Sequence, residues 1–305
     1  MTAKEPCVVW MRGNIGDLII LSAIANHLHM HPDGYDVKTV LISSSLPKET
    51  VVELVELLSF YDDKNIILLD KKYCDGRKKI FNLKLAGTLA NKYRMRVVLL
   101  NHCLPFGNGV VKVLKADEIL LPEYGKVDYT NVGLKDPVID NDLVLSLPER
   151  YVVFFPQGNS NWHWQSSDTV QCFDKLIKAA LAQGYRVVIC AKGMPERHPY
   201  EHYMDKVDVT FLINQTSLAD AAYLIRHASG VVSYDSGMKN IAFLLPTPTV
   251  AIYNTRLKPP SPIDAWFPKQ LQGINNNSYL WQTDLNDSIL ERIVKSWRGT
   301  STSSL

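Results

Sequence analysis

Short runs of apolar, β-branched residues alternate with helix-like amphipathic segments along most of the chain. Some runs, such as Val-Val-Leu-Leu at 97–100, are apolar at every position, which is typical of parallel strands buried on both faces. Strands are predicted at 7–11, 39–43, 66–69, 97–101, 151–155, 186–190, 211–213, 230–234 and 249–253. Helices are predicted at 17–28, 48–58, around 81–93, and at 168–182, 217–228, 239–245 and 287–297. Successive β–α units of this kind predict an α/β fold with doubly wound sheets.

The alternation is interrupted between 120 and 148 by a polar, turn-rich stretch. We therefore predict one domain over 1–148, a second over 149–283, and a terminal helix and tail over 284–305. The length of 305 residues suits two domains of about 150 residues each. Two such domains facing a central cleft would bring together the carboxyl ends of their sheets, where open sheets bind ligands.

Composition narrows the possible classes of protein only slightly. Hydrophobic residues make up 46% and charged residues 21% of the chain, which excludes wholesale disorder. A net charge of +2 gives no argument for a nucleic-acid or membrane partner. The five cysteines never occur in C-x-x-C spacing, so free thiols and no metal site are expected. Without an apolar leader or a stretch of about 20 apolar residues, a soluble, cytoplasmic protein is expected.

The sequence Asp235-Ser236-Gly237 lies between a predicted strand and the helix that follows it. A helix N-terminus offers unpaired N–H groups and about half a positive charge, which together bind phosphate. Ser236 would add a hydroxyl donor, and Gly237 would let an anion approach the backbone. Alternatively, Asp235 or Ser236 only caps the helix, which is the usual role of such residues at a helix start.

A comparable corner, Arg12-Gly13-Asn14-Ile15-Gly16-Asp17, follows the first predicted strand. Asp17 falls in the first turn of the next helix, where a carboxylate could take a proton from a hydroxyl group. Acidic residues also favour first turns because of the helix dipole, so both interpretations stand. The loop at 158–164 contains two tryptophans that suit either stacking on a sugar or base, or anchoring the loop.

In their order and spacing these motifs resemble glycosyltransferase family 9, the ADP-heptose:lipopolysaccharide heptosyltransferases, over most of the chain. The stretch 13–24 is similar to the family's opening G-D motif, with Asp17 on its aspartate. Phe155-Pro-Gln-Gly-Asn is similar to its H-P-G-A-S strand end, and the stretch 216–228 to its T-S-L-x-E helix. The stretches 235–242 and 247–253 resemble its D-(S/T)-G-x-x-H-x-A and T-P-x-V-x-L-(F/Y) motifs.

The resemblance implies a GT-B architecture of two Rossmann-like domains and an inverting, metal-independent transfer without a cofactor. The nucleotide-sugar donor would sit mainly on the second domain and a saccharide acceptor on the first. Asp17 would deprotonate the acceptor hydroxyl, and the backbone N–H groups of residues 236–238 would hold the diphosphate. The residues expected to bind the donor are Gln157, Gly158, Lys192, Asp235, Ser236, Gly237, Met238, Lys239 and Asn240. The residues expected to bind the acceptor are Arg12, Asn14, Gly16 and Asn101.

The chain departs from the family at two positions that would carry charge. Asn240 occupies the place of the motif's histidine, and Trp162 occupies the place of a lysine that precedes a Trp-Pro pair. Lys239, Lys192, Arg12 or Arg256 could replace the missing cations. Two alternatives therefore stay open: a GT-B enzyme that glycosylates a nucleic-acid base, and a non-catalytic member that binds a nucleotide or a partner.

Overall fold

A computed structural model describes residues 4–69, 88, 91–92, 97–100, 118–120, 129–158, 165–194, 198–253 and 278–298. The chain divides into two compact units, Met1–Lys135 and Asp136–Leu305. Each unit contains one parallel sheet, as the fully apolar strand segments predicted. Within the described residues, no helix has the length and apolar character needed to cross a membrane.

Unit 1 is built on a five-stranded parallel sheet in the order β3-β2-β1-β4-β5. Its strands are β1 Pro6–Arg12, β2 Asp36–Ser43, β3 Asn65–Leu69, β4 Val97–Leu100 and β5 Glu118–Leu120. Its helices are α1 Ile15–Met30 and α2 Lys48–Leu57, with short 3₁₀ helices at Ser59–Tyr61 and Tyr129–Val132. The helix predicted around 81–93 lies largely outside the described residues.

Unit 2 is built on a six-stranded parallel sheet in the order β11-β10-β9-β6-β7-β8. Its strands are β6 Tyr151–Phe155, β7 Arg186–Ala191, β8 Val209–Ile213, β9 Gly230–Tyr234, β10 Thr249–Tyr253 and β11 Ser278–Trp281. Its helices are α3 Asp142–Leu145, α4 Ser167–Ala182, α5 Leu218–His227, α6 Gly237–Phe243 and α7 Asp287–Arg298, with a 3₁₀ helix at Glu201–Tyr203. Every residue of β6, β9 and β10 is buried, so these central strands form the middle of the core.

Both sheets follow the strand order of a doubly wound, Rossmann-like fold. In unit 1 the direction of winding reverses between β1 and β4, and in unit 2 it reverses between β6 and β9. Such a switch point leaves a crevice at the carboxyl ends of the two strands, where ligands of open α/β sheets bind. The loops that follow β1, β6 and β9 are therefore the places to look for a site.

The boundary between the units lies at residues 135 and 136, earlier than the predicted 148. The segment that follows the boundary is bound to unit 2 by its side chains. Asp136 forms an ion pair with Arg226 at 2.5 Å. Asn141 donates from Nδ2 to the carbonyl of Gln215 at 2.9 Å and to the carboxylate of Asp220 at 3.1 Å. Side-chain hydrogen bonds and an ion pair therefore connect the first residues after the boundary to unit 2.

The terminal helix α7 belongs to unit 2 and is not a separate appendage. Ile293, Val294 and Trp297 lie in the core cluster of this unit together with residues of its strands. Trp297 is 1% exposed, and its ring lies nearly perpendicular to that of Tyr185, with ring centroids 5.9 Å apart. Its amphipathic pattern was predicted correctly, and the tertiary structure shows which elements its apolar face contacts.

Candidate active site

The loop between β1 and α1 is shaped around the carboxylate of Asp17. The backbone N–H of Asn14 donates to Oδ2 of Asp17 at 2.9 Å, so Asp17 takes part in a capping box at the start of α1. Gly13 has φ +145°, and a Cβ built on it would meet the Asp17 side chain at 2.3–2.5 Å. Glycine is therefore required here both for the backbone conformation and for the space that the carboxylate occupies.

The same loop is anchored to the carboxyl end of β2. The N–H of Gly13 donates to the carbonyl of Ser43 at 3.3 Å, and the Ser44 hydroxyl donates to the carbonyl of Gly13 at 2.7 Å. The Ser45 hydroxyl donates to Oδ1 of Asn14 at 3.1 Å. These serines were not among the predicted site residues. Their position directly after a buried strand was the signal that could have pointed to them.

The predicted acceptor residues fall at the switch point of unit 1 as far as the structure describes them. Arg12 is the last residue of β1, Asn14 precedes α1, and Gly16 lies in its first turn. Asn101 follows β4 in the sequence but lies outside the described residues. The assignment of these residues to an acceptor remains a prediction.

Replacing Gly13 by alanine is expected to displace Asp17 and to lower the stability of unit 1. The added methyl group would overlap the carboxylate, and the backbone would hold alanine at a positive φ, which together cost at least about 2 kcal/mol. Urea denaturation and an assay of sugar transfer would measure the two effects.

Gly184→Ala is the matched control for this substitution. Gly184 also has a positive φ of +72°, but a Cβ there meets nothing within 4 Å. The control should lose about 1 kcal/mol of stability and should keep its full transfer activity. Equal activity losses in the two variants would show that the space beside Asp17 is unimportant.

In unit 2 the loops after β6 and β9 meet at the switch point. Phe155 of β6 pairs with Ser233 of β9, so the residues after both strands emerge side by side. A Cβ built on Gly158 would lie 2.9 Å from the carbonyl oxygen of Asp235 and 3.0 Å from the ring of Tyr234. The close approach of the two loops therefore depends on glycine at 158.

Gln157 connects the loop after β6 to the end of the neighbouring strand β7. Its Nε2 donates to the carbonyl of Lys192 at 3.0 Å. Its Oε1 is buried and has no hydrogen-bond partner among the described residues. A buried acceptor of this kind indicates a group that a ligand or water satisfies. The side chain of Lys192 itself is exposed.

The first turn of α6 is not capped by a side chain. Ser236 is the N-cap residue with extended φ and ψ, but its side chain makes no capping hydrogen bond. Its hydroxyl instead lies 3.4 Å from that of Ser233. Asn240 donates from Nδ2 to the carbonyl of Ser236 at 3.4 Å. Ser236 thus holds the N-cap position without a capping hydrogen bond from its side chain among the described residues.

Lys239 departs from its expected role as a cation that faces phosphate. Its side chain is 2% exposed and points into unit 2, where Nζ binds the carboxylate of Asp235 at 2.5 Å. Nζ also donates to the hydroxyl of Tyr253, the last residue of β10, at 2.9 Å. Tyr253 was not predicted as a site residue, although it ends a buried strand beside β9.

The Thr216-Ser-Leu-Ala-Asp motif is a helix start held by reciprocal hydrogen bonds. The N–H of Ser217 donates to the carboxylate of Asp220 at 2.8 Å, and the N–H of Asp220 donates to the hydroxyl of Ser217 at 3.0 Å. This capping box orients α5 against the sheet. Trp162 and Trp164 of the predicted stacking loop lie outside the described residues.

Two Rossmann-like units, each with its polar motif at the switch point of a parallel sheet, define the GT-B class of fold. Residues 136–279 match the model of glycosyltransferase family 9 (heptosyltransferase). The predicted resemblance to this family is thereby confirmed over these residues of unit 2. This match supports the predicted glycosyltransferase class.

Solved structures with a similar fold include members of this family. A family 9 glycosyl transferase from Veillonella parvula DSM 2008 is 14% identical with a TM-score of 0.63, over 98% of both chains. E. coli ADP-heptose lps heptosyltransferase II is 14% identical with a TM-score of 0.62, over 96% of this chain and 98% of that one. E. coli heptosyltransferase WaaC with ADP is 14% identical with a TM-score of 0.56, over 96% and 99%. A comparison with curated protein sequences finds no match.

Proposed function

We propose that the protein is an inverting, metal-independent glycosyltransferase that moves a sugar from a nucleotide-diphosphate donor to the hydroxyl of a saccharide acceptor. One observation carries the proposal. Residues expected to bind the donor come from separate stretches of sequence, and Gln157, Gly158 and the turn 235–237 meet at the switch point of unit 2. These residues lie within 136–279, the part of the chain that matches glycosyltransferase family 9.

The donor's diphosphate would bind at the turn between β9 and α6. The backbone N–H groups of Ser236, Gly237 and Met238 would receive the negative charge that grows on the leaving phosphate, where fixed dipoles stabilise a transition state most. Lys192 has an exposed side chain at the neighbouring strand end and would add a positive charge. Gln157 and Asn240 would contribute neutral hydrogen bonds to the donor. No cofactor beyond the nucleotide sugar is needed for this chemistry.

Asp17 would act as the general base on the acceptor. Its carboxylate would take the proton of the acceptor hydroxyl, whose oxygen then forms a bond to the anomeric carbon of the sugar. The bond from that carbon to the phosphate oxygen breaks, and the nucleoside diphosphate leaves with the electron pair. Attack from the face opposite to the leaving group inverts the anomeric centre. The hydrogen bond from Asn14 fixes the orientation of the carboxylate for this step.

A nucleoside diphosphate is expected to raise the melting temperature of the protein more than the corresponding nucleoside does. A ligand at 100 times its dissociation constant stabilises the folded state by about 2.7 kcal/mol. Thermal unfolding with ADP, UDP and GDP, compared with adenosine, uridine and guanosine, separates the contribution of the diphosphate from that of the base. The best diphosphate then identifies which nucleotide sugars to assay for transfer.

Three results would contradict different parts of the proposal. No shift with any of the three diphosphates would remove the donor site from unit 2. Binding of a diphosphate without transfer from any nucleotide sugar to saccharide acceptors would favour the non-catalytic alternative. Transfer to duplex DNA in the same assay would keep the chemistry and change the acceptor.

A further inference from the structure

Lys239 occupies a position where a cation is unfavourable for two independent reasons. It is the third residue of α6, and the N-terminus of a helix carries a partial positive charge that repels ammonium groups. It is also 2% exposed, and burying an ammonium group is costly unless that group is paired. A lysine at this place therefore needs a compensating interaction.

Asp235 and Tyr253 supply that compensation. The Lys239 ammonium lies 2.5 Å from Oδ1 of Asp235, which is 8% exposed, and donates to the hydroxyl of Tyr253 at 2.9 Å. Burial lowers the pKa of Lys239, but the Asp235 carboxylate and the Tyr253 hydroxyl raise it, and the net pKa lies above its ordinary value. The pairing therefore favours the charged form of Lys239, and Asp235 and Lys239 form a buried ion pair.

The pair connects the elements that form the proposed donor site. The backbone N–H of Asp235 donates to the carbonyl of Ile252 in β10 at 3.0 Å, and Tyr253 is the next residue of that strand. The carbonyl oxygen of Asp235 packs against Gly158, where a Cβ would lie 2.9 Å away. Lys239 thus ties the first turn of α6 to the ends of β9 and β10, and Asp235 transmits that constraint to the loop after β6.

We infer that Lys239 is a positioning residue of the proposed donor site: its ammonium neutralises the buried carboxylate of Asp235, so that the turn 235–237 can hold an anion that Lys239 does not itself contact. This inference rests on the proposed function, because it takes the anion to be the donor's diphosphate. In this role Lys239 supports the site without binding phosphate itself. The ammonium is buried and bound to the Asp235 carboxylate and the Tyr253 hydroxyl.

The consequence is electrostatic. Without Lys239, the Asp235 carboxylate would be buried and unpaired next to the backbone N–H groups that are proposed to receive the diphosphate. Like charges a few ångströms apart in a partly buried site repel strongly because little water screens them. Loss of the Lys239 cation should therefore weaken the binding of an anionic ligand, even though the cation does not contact that ligand. Removing both charges should relieve most of the repulsion.

The test compares Lys239→Met with the double variant Lys239→Met/Asp235→Asn, using calorimetric titration of the full chain with ADP, UDP and GDP. The single variant should bind the preferred diphosphate at least about tenfold more weakly than the unmodified protein. The double variant should bind at least about fivefold more tightly than the single variant, since no uncompensated charge remains. If Lys239 acted only by holding the turn in place, both variants would bind the diphosphate equally weakly, because both lack the hydrogen bonds of Lys239.

Lys178→Met is the matched control. Lys178 also pairs with an aspartate four residues away, Asp174, at 2.6 Å, but its side chain is 66% exposed and the pair lies on α4. An exposed pair contributes little, so this variant should bind the diphosphate as the unmodified protein does.

Each outcome decides a different point. Unchanged binding by Lys239→Met, or no recovery in the double variant, overturns the inference and leaves the proposed function intact. Failure of the unmodified protein to bind any of the three diphosphates overturns the proposed function and this inference with it. If Lys239→Met does not fold, the double variant decides alone, because a folded protein that still binds a diphosphate supports charge neutralisation and one that does not contradicts it.

Discussion

Replacing Asp17 by asparagine is expected to lower sugar transfer by at least about a hundredfold while nucleoside diphosphate binding stays unchanged. A positioned general base contributes about 10²–10⁴ to the rate, and asparagine cannot accept a proton. The donor residues lie in unit 2, so their affinity for a diphosphate should not depend on this change. Transfer assays and calorimetric titration with the same diphosphate would measure the two quantities separately.

Asparagine is the better test than alanine because it preserves the local structure. Its side-chain oxygen can still accept the hydrogen bond from the backbone N–H of Asn14, which Oδ2 of Asp17 accepts at 2.9 Å. The substitution should therefore cost less than about 1 kcal/mol of stability. Any large loss of activity then reports on the lost negative charge and proton acceptor, and not on a displaced loop.

Glu49→Gln is the matched control for the Asp17 substitution. Glu49 is also an acidic residue in the first turn of a helix of unit 1, and it is exposed. If first-turn acids matter only through the helix dipole, the two variants should behave alike. A parallel loss of diphosphate binding and transfer in Asp17→Asn would contradict the role of general base.

Replacing Trp297 by alanine is expected to destabilise unit 2 by about 3–5 kcal/mol, which is the cost of removing a large buried aromatic side chain. Trp297 is 1% exposed and belongs to the central core cluster. Urea denaturation followed by far-ultraviolet circular dichroism would measure the loss without relying on the fluorescence of the removed tryptophan. Lys295→Ala, an exposed change on the same helix, should leave the stability within about 0.5 kcal/mol.

The contact between Trp297 and Gly230 gives a sharper version of this prediction. A Cβ built on Gly230 would lie 2.1–2.7 Å from atoms of the Trp297 ring, so Gly230→Ala should also be strongly destabilising. Once Trp297 is alanine, the added methyl group has room. The double variant should therefore lose clearly less stability than the sum of the single variants. Additive losses would mean that α7 does not pack on the start of β9.

The secondary structure was predictable wherever local pattern and local chemistry agree. Central strands such as β6 and β9 appear as apolar runs because both of their faces are buried. The end of α4 at Ala182 agrees with the glycine that follows two residues later, because Gly184 has a positive φ of +72° that glycine tolerates. The strands β5 and β11, which have only three and four residues and lie at sheet edges, were missed.

Only part of the candidate site could be predicted in the same way. Asp17 and the turn 235–237 were found because glycine and a capping-type residue follow a predicted strand. The orientation of Lys239 could not be found, because its partner Tyr253 lies fourteen positions away on another strand. The role of Asp136 and Asn141 in unit 2 was missed for a similar reason, since their partners are more than 70 residues distant.

The sequence by itself determined the alternation of strands and helices, the parallel character of the sheets and the glycine-containing corners at the strand ends. These depend on side-chain periodicity and backbone freedom, which act over a few residues. The tertiary structure alone decided that the loop after β6 meets the turn 235–237 and that Lys239 faces Asp235 and Tyr253. Those contacts follow from the order of strands in the sheet. The strand order decides which residues lie beside a buried charge and can pair with it.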